Sequence, residues 1–280
     1  MSSTTMDAWR LGKRTVCLAS GRNLAVVDTG GEGDVALLLH GYTDTSRSYQ
    51  ALAPHLAGLR LVIPDLPGHG DSAEDERADL STLVEDMVAV SRALDVVPSL
   101  VVGHSFGSLL ALEIARREVW PGAKFVILAG TPYPNLGGLS SLAPIRHFAD
   151  PVAMSDPFLT QWYAGPVALD PQFLETVKAE AVCMPARIWR HYLDMLESLD
   201  LREGLGGIRA PLLSIAGDLD HLFDARHGDA ICQVLPDARI VRLPDSGHNP
   251  HWEAPERVAG LIRRWLTARD GDAQVLDVAV

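Results

Sequence analysis

The sequence predicts an α/β fold: an open, mostly parallel sheet flanked by helices on both faces, with a helical cap inserted between two late strands. Three observations predict it. Short, continuously apolar runs recur along the chain, as strands buried on both faces of a parallel sheet require. Helical segments alternate with them, the pattern of a sheet covered on both sides. One stretch, residues 131 to about 205, breaks the alternation. It has several prolines, no convincing core strand and eight of the 17 aromatic side chains, and so reads as the cap. The expected division is a core of residues 1–130 and 206–280 with a cap of 131–205.

The elements follow in order. Arg14 to Ala19 and Leu24 to Thr29 are β-rich and are joined by Ser20-Gly21-Arg22-Asn23, which predicts a hairpin. Val35 to His40 is an unbroken apolar run ending at Gly41, and Leu61 to Ile63, Ser99 to Gly103 and Lys124 to Ala129 repeat that pattern. Pro211 to Ala216 and Ala238 to Leu243 continue it beyond the cap. Thr82 with Glu85 suggests a capping box, followed by Leu83, Val84, Met87, Val88, Ser91 and Leu94 on one helical face. Phe106 to Val119 reads as a second helix. The last starts at Pro255, a good first-turn residue, with Val258, Leu261, Ile262, Trp265 and Leu266 as its apolar stripe. The tail after Ala268 has no clear place in this pattern.

Composition narrows the function classes. At 47% hydrophobic and 21% charged the chain of 280 residues can build a sizeable core, which excludes a disordered or fibrous role. A net charge of −12 with no basic block argues against nucleic acid as a partner. The longest aliphatic run, Val35 to Leu39, is far too short to span a membrane, and no signal-peptide h-region is present near Met1. Cys17, Cys183 and Cys232 are scattered and odd in number, which argues against a disulfide framework or zinc site. They are expected as small buried hydrophobes in a cytoplasmic protein with no metal and no cofactor.

Gly103-His104-Ser105-Phe106-Gly107 has the G-x-S-x-G pattern of a nucleophile placed on a strained strand-to-helix turn. The glycines on either side are needed where side chains would collide. An apolar strand precedes Ser105 and an apolar helix follows it. A serine hydroxyl needs a base, and the base needs an orienting acid. Candidates lie downstream, each just past a predicted strand: Asp218 and Asp220 in Gly217-Asp218-Leu219-Asp220, with Asp224 close by, and His248 in Ser246-Gly247-His248. His251 is the nearest rival base.

At this point the chain resembles the α/β-hydrolase superfamily over nearly its whole length. The residues that carry the resemblance are LLLHGY at 37–42, PDLPGHGDS at 64–72, GHSFG at 103–107, GDLD at 217–220 and GHNPHWEAPE at 247–256. The resemblance implies an α/β-hydrolase fold with Ser105 as nucleophile, His248 as general base and Asp220 as the acid. It also implies backbone N–H groups of Phe106 and Tyr42 as the oxyanion hole, and structural roles for His40, His69 and His104. Related dehalogenases and epoxide hydrolases use an aspartate as nucleophile, and position 105 is serine.

The function this implies is a serine hydrolase acting on a small-molecule carboxylic ester or lactone through an acyl-enzyme, with no nucleic-acid or membrane partner. Thioesterases, C–C hydrolases and perhydrolases carry the same triad, and a hydrolase-fold ligand receptor keeps it with little turnover. The cap aromatics favour an apolar or aromatic substrate group, with Trp162, Trp189, Tyr163 and His251 as the expected pocket residues.

Overall fold

The computed structural model describes residues 7–76, 78–136 and 139–268. Eight strands form one sheet: β1 (Lys13–Cys17), β2 (Asn23–Asp28), β3 (Val35–Leu39), β4 (Arg60–Pro64), β5 (Leu100–His104), β6 (Lys124–Leu128), β7 (Leu212–Gly217) and β8 (Arg239–Leu243). Every predicted strand is present, its ends shifted by no more than two residues. The order is β1-β2-β4-β3-β5-β6-β7-β8. β1 and β2 form the predicted antiparallel hairpin, β2 is antiparallel to β4, and the other pairs are parallel.

The helices are α1 (Ala8–Leu11), α2 (Leu80–Ala93), α3 (Phe106–Arg116), α4 (Pro157–Trp162), α5 (Pro171–Ala181), α6 (Ala186–Ser198), α7 (Ala225–Val234), α8 (Pro250–Glu253) and α9 (Pro255–Thr267). Period-two alternation divides the strand side chains between two cores. Leu37, Leu39, Val101, Phe125 and Ile127 pack with α2 and α3, while Ala36, Leu38, Leu100, Val102, Val126 and Leu128 pack with α9. That is why β3, β5 and β6 read as unbroken apolar runs. Between β6 and β7 the described residues form a 3₁₀ stretch at Ser140–His147 and then α4, α5 and α6, without a strand.

The long connection is tied to the core loop after β3 by Arg47, whose side chain is 3% exposed. Its Nε donates to Glu180 Oε1 of α5 at 2.6 Å and its Nη1 to Gln50 Oε1 at 3.0 Å, and it pairs with Asp7. The loop after β3 is thereby fixed to a helix of the long connection.

Three expectations change. α2 starts three residues before the position that a Thr82 capping box predicts, because Asp79 is its N-cap. The Asp79 carboxylate accepts from the Thr82 N–H at 2.8 Å, and a charged acceptor at a helix N-terminus is a strong cap. α3 ends at Arg116 rather than Val119, with Glu118 in the left-handed region at φ 49°. All three cysteines are exposed: Cys17, for instance, follows Val16 on an edge strand and so points to the opposite, solvent face. The tail after Ala268 lies outside the described residues.

Candidate active site

The sheet order reverses at the β3–β5 neighbour pair, and the carboxyl ends of strands beside such a switch point are where open α/β sheets place ligands. Ser105 stands there, between the fully buried strand β5 and α3. Its backbone is at φ 50°, ψ −113°, a conformation that an L residue holds only at a cost of order 1–3 kcal/mol. The flanking glycines are required by contact. A Cβ on Gly103 would lie 2.1 Å from the Gly107 carbonyl oxygen, and one on Gly107 would lie 2.2 Å from the Leu39 carbonyl oxygen. Ser105 N–H donates to Leu128 O at 3.0 Å, which pins the turn to the end of β6.

The loops after β7 and β8 bring the other two predicted residues to this serine. His248 Nε2 is 2.9 Å from Ser105 Oγ, and His248 Nδ1 is 2.8 Å from Asp220 Oδ2. The other carboxylate oxygen of Asp220 accepts from the N–H groups of Leu222 and Phe223 at 2.8 and 2.9 Å. An ionised carboxylate only accepts, so Nδ1 carries the proton and Nε2 is left to accept from the serine hydroxyl. Burial pushes the Asp220 carboxyl up, but the charge and hydrogen bond of His248 and the two backbone donors outweigh it, so its pKa lies below the usual carboxylate range. Burial likewise pushes the His248 imidazolium down, but the charge and hydrogen bond of Asp220, with Asp44 and Glu253 adding to them, carry it above the ordinary histidine value.

The rival residues are placed elsewhere. Asp218 is exposed and pairs with Arg242 Nε at 2.5 Å. Asp224 caps α7 through the Arg226 N–H and pairs with the Arg226 side chain. His251, expected at the pocket, is a correction: it has no exposed surface, and its Nε2 is 2.8 Å from Ser48 Oγ. Pro250 starts the short helix α8 and turns His251 into the protein, leaving Trp252 and Glu253 on the cavity side.

The backbone N–H groups expected to hold an oxyanion are those of Tyr42, on the loop after β3 that lines the cavity, and of Phe106, the first residue of α3 after Ser105. Among the described residues neither has a hydrogen-bond acceptor. The histidines around them brace the loops. His69 Nε2 donates to Tyr42 O at 2.6 Å, His40 Nε2 accepts from Leu66 N–H at 2.9 Å, and His104 Nε2 donates to His248 O at 2.9 Å.

A cavity of about 490 Å³ opens above Ser105. Trp162 and Tyr163 line it, each held by Thr43: Trp162 Nε1 donates to Thr43 Oγ1 at 2.8 Å and Tyr163 OH to Thr43 O at 3.1 Å. Trp189 does not line it. It is fully buried on the stripe Ile188, Trp189, Tyr192, Leu193 and Leu196 of α6, and it packs edge-on against Tyr42 and Phe148. Its polar neighbours in sequence, Arg187, Arg190 and His191, lie off that stripe. The sequence reading missed Leu222, Phe223, Trp252, Glu253 and Asp44 as lining residues. The available signal was their place within a few residues of Asp220, His248 and Tyr42 on the same loops.

The two tryptophans therefore have different expected effects. Trp189→Ala should cost about 3–5 kcal/mol of stability and lower all hydrolytic rates together. Trp162→Ala should instead lower the ratio of kcat/KM for a bulky aromatic ester to that for a small acetate, with little change in Tm. Melting curves beside the two rate constants check both, and a ratio unchanged in Trp162→Ala removes that residue from the pocket.

Residues 36–261 match the model of the alpha/beta hydrolase family. The chain is 28% identical to the magnesium-chelatase 30 kDa subunit of Rhodobacter capsulatus, over 86% of this chain and 90% of that protein. It is 30% identical to the pimeloyl-(acyl-carrier protein) methyl ester esterase of Aromatoleum aromaticum, over 81% of this chain and 95% of that protein. A solved structure of a hydrolase from Pseudomonas aeruginosa superposes with a TM-score of 0.79 at 24% identity, covering 91% of this chain and 98% of the other, a likeness of fold.

Proposed function

The chain belongs to the alpha/beta hydrolase family, and on that premise we propose that it is a serine hydrolase of small-molecule carboxylic esters, with Ser105, His248 and Asp220 as its catalytic triad. The observation that carries this reading is the continuous line from Ser105 Oγ through both ring nitrogens of His248 to Asp220 Oδ2, with links of 2.9 and 2.8 Å, at the floor of an open cavity. The likeness to a methyl ester esterase supports the choice of ester.

In this mechanism Ser105 Oγ attacks the acyl carbon while His248 Nε2 takes the hydroxyl proton. The N–H groups of Tyr42 and Phe106 hold the oxygen that becomes negative, which needs fixed donors already in place. The tetrahedral intermediate collapses, and the His248 proton goes to the departing alcohol. Water, deprotonated by the same nitrogen, then cleaves the acyl-enzyme to the acid and restores Ser105. Residues 131–205 serve as a cap over this centre, and Trp162 and Tyr163 choose the substrate by packing against an apolar or aromatic group.

Hydrolysis of 4-nitrophenyl esters of increasing acyl length tests the reading: turnover many times the protein concentration is expected, and its absence across the series rejects an esterase. The pH profile adds a second check. Only neutral His248 accepts the serine proton, so kcat/KM is complete above its pKa and lost as pH falls through it. Because Asp220 raises that pKa, the acid limb should lie on the alkaline side of ~6.5, the value of an unperturbed histidine. A limb well below that value contradicts the ion pair.

A further inference from the structure

The charges around the cavity bear on which esters can enter it. Two acidic side chains line it, Asp44 and Glu253, and among the described lining residues there is no lysine or arginine. Asp44 is 6% exposed and sits two residues beyond Tyr42, on the turn closed by its own N–H to Gly41 O at 3.2 Å. Its Oδ2 is 3.2 Å from Ser48 Oγ and 3.5 Å from His104 Nδ1. Glu253, at the end of α8 just after His248, accepts from the Gly247 N–H. The titratable bases that line the cavity are histidines: His104, His221 and His248. His104 faces Asp44 and is committed to the His248 carbonyl, and His248 has to stay neutral to act as a base.

A carboxylate taken into such a space leaves water and meets no fixed cation, and an unpaired buried anion is costly. Among the lining histidines, His248 could compensate it only in its protonated form, which cannot deprotonate Ser105. Anion binding and catalysis therefore oppose each other at this site. The overall net charge of −12 adds to the repulsion at long range and low salt.

We infer that this cavity selects esters whose acyl and alcohol parts are neutral or carry an amine, and turns away esters bearing a carboxylate or phosphate within reach of Asp44 and Glu253. The inference rests on the ester-hydrolase reading. One unit charge about 8 Å from another at an effective dielectric near 20 changes an equilibrium by roughly 30-fold, so a discrimination of roughly 10- to 30-fold is expected in a partly open cavity.

The test compares 4-nitrophenyl esters of one chain length: hexanoate, the monoester of adipic acid, and 6-aminohexanoate. At low salt, kcat/KM for the adipate ester should fall roughly 10- to 30-fold below the hexanoate, while the amine ester falls less. Rising ionic strength should narrow the adipate gap. Ser141 is exposed and lines the cavity, so Ser141→Lys places a cation at the wall without disturbing the core and should raise the adipate-to-hexanoate ratio several-fold. Glu253→Gln should move that ratio in the same direction. Equal rates for adipate and hexanoate overturn the inference and leave the esterase reading standing. Equal losses for adipate and amine esters also overturn it, since the cavity would then reject polarity rather than negative charge. If no ester turns over, the esterase reading fails first and the inference falls with it.

Discussion

Ser105→Ala is expected to give a folded protein whose kcat/KM for ester hydrolysis is lowered at least ~10³-fold, because a covalent nucleophile and its base act as a unit. Removing one oxygen from a side chain that faces a cavity creates no void in the core, and the backbone bond from residue 105 to Leu128 O is untouched. The strained turn is retained, because it is fixed by the approach of Gly103 to the Gly107 carbonyl and of Gly107 to Leu39 rather than by the hydroxyl. What disappears is the acceptor of the acyl group. His248 then has no hydroxyl to deprotonate, and the residual rate is that of water in an oxyanion-binding site. Steady-state kinetics on purified protein with a Tm within a few degrees of wild type make the measurement. Near-parental rates in such a preparation would remove the acyl-enzyme and every step built on it.

The parts of the fold legible in the sequence are those set by local pattern. A strand such as β5 is covered on both faces, so all five of its residues are buried and the run is apolar without alternation. The turn at Ser105 is legible for a steric reason, since two close backbone approaches demand glycine on both sides. Asp220 and His248 are legible because they stand just past strand ends that the apolar runs mark. Cys17, Trp189 and His251 are different. Each is decided by which way one side chain points, and that depends on what packs against the element. Trp189 follows the i, i+3, i+4 stripe of α6 into the protein with Tyr192 and Leu193, although charged residues flank it in sequence. Weighing that stripe above the nearest neighbours finds its burial. His251 gives no such signal, because its direction is set by a single four-residue turn.

Charged residues show the same limit. Sequence places Asp218 and Asp220 two residues apart on one loop, and it is the spacing of the family resemblance, the acid three residues after Gly217, that favours Asp220. Their surroundings separate them. The Asp220 side chain has no exposed surface and is held from one oxygen by two N–H groups, so its other oxygen has a fixed direction. Asp218 is 40% exposed and opposed by Arg242, where a pair contributes about 0–1 kcal/mol.

Asp220→Asn should therefore lower kcat/KM by ~10⁴-fold, the size of the effect when a triad aspartate of a serine protease becomes asparagine, while Asp218→Asn stays within about twofold of wild type. The amide keeps the shape of the carboxylate, and its oxygen can still accept from Leu222 and Phe223. Its nitrogen then faces His248 Nδ1 as a donor, which moves the ring proton to Nε2, the wrong nitrogen for a base. Loss of the carboxylate also removes the chief influence that raises the His248 pKa against burial, so the acid limb of the remaining activity should move to lower pH. A mutant that merely loosened the loop would lose rate without moving that limb. The two readouts together, a large fall in rate and an acid limb displaced downward, identify Asp220 as the residue that orients and charges the base. If Asp218→Asn produced both changes and Asp220→Asn neither, the assignment of the acid would pass to Asp218, against the 2.8 Å contact from which the mechanism is built.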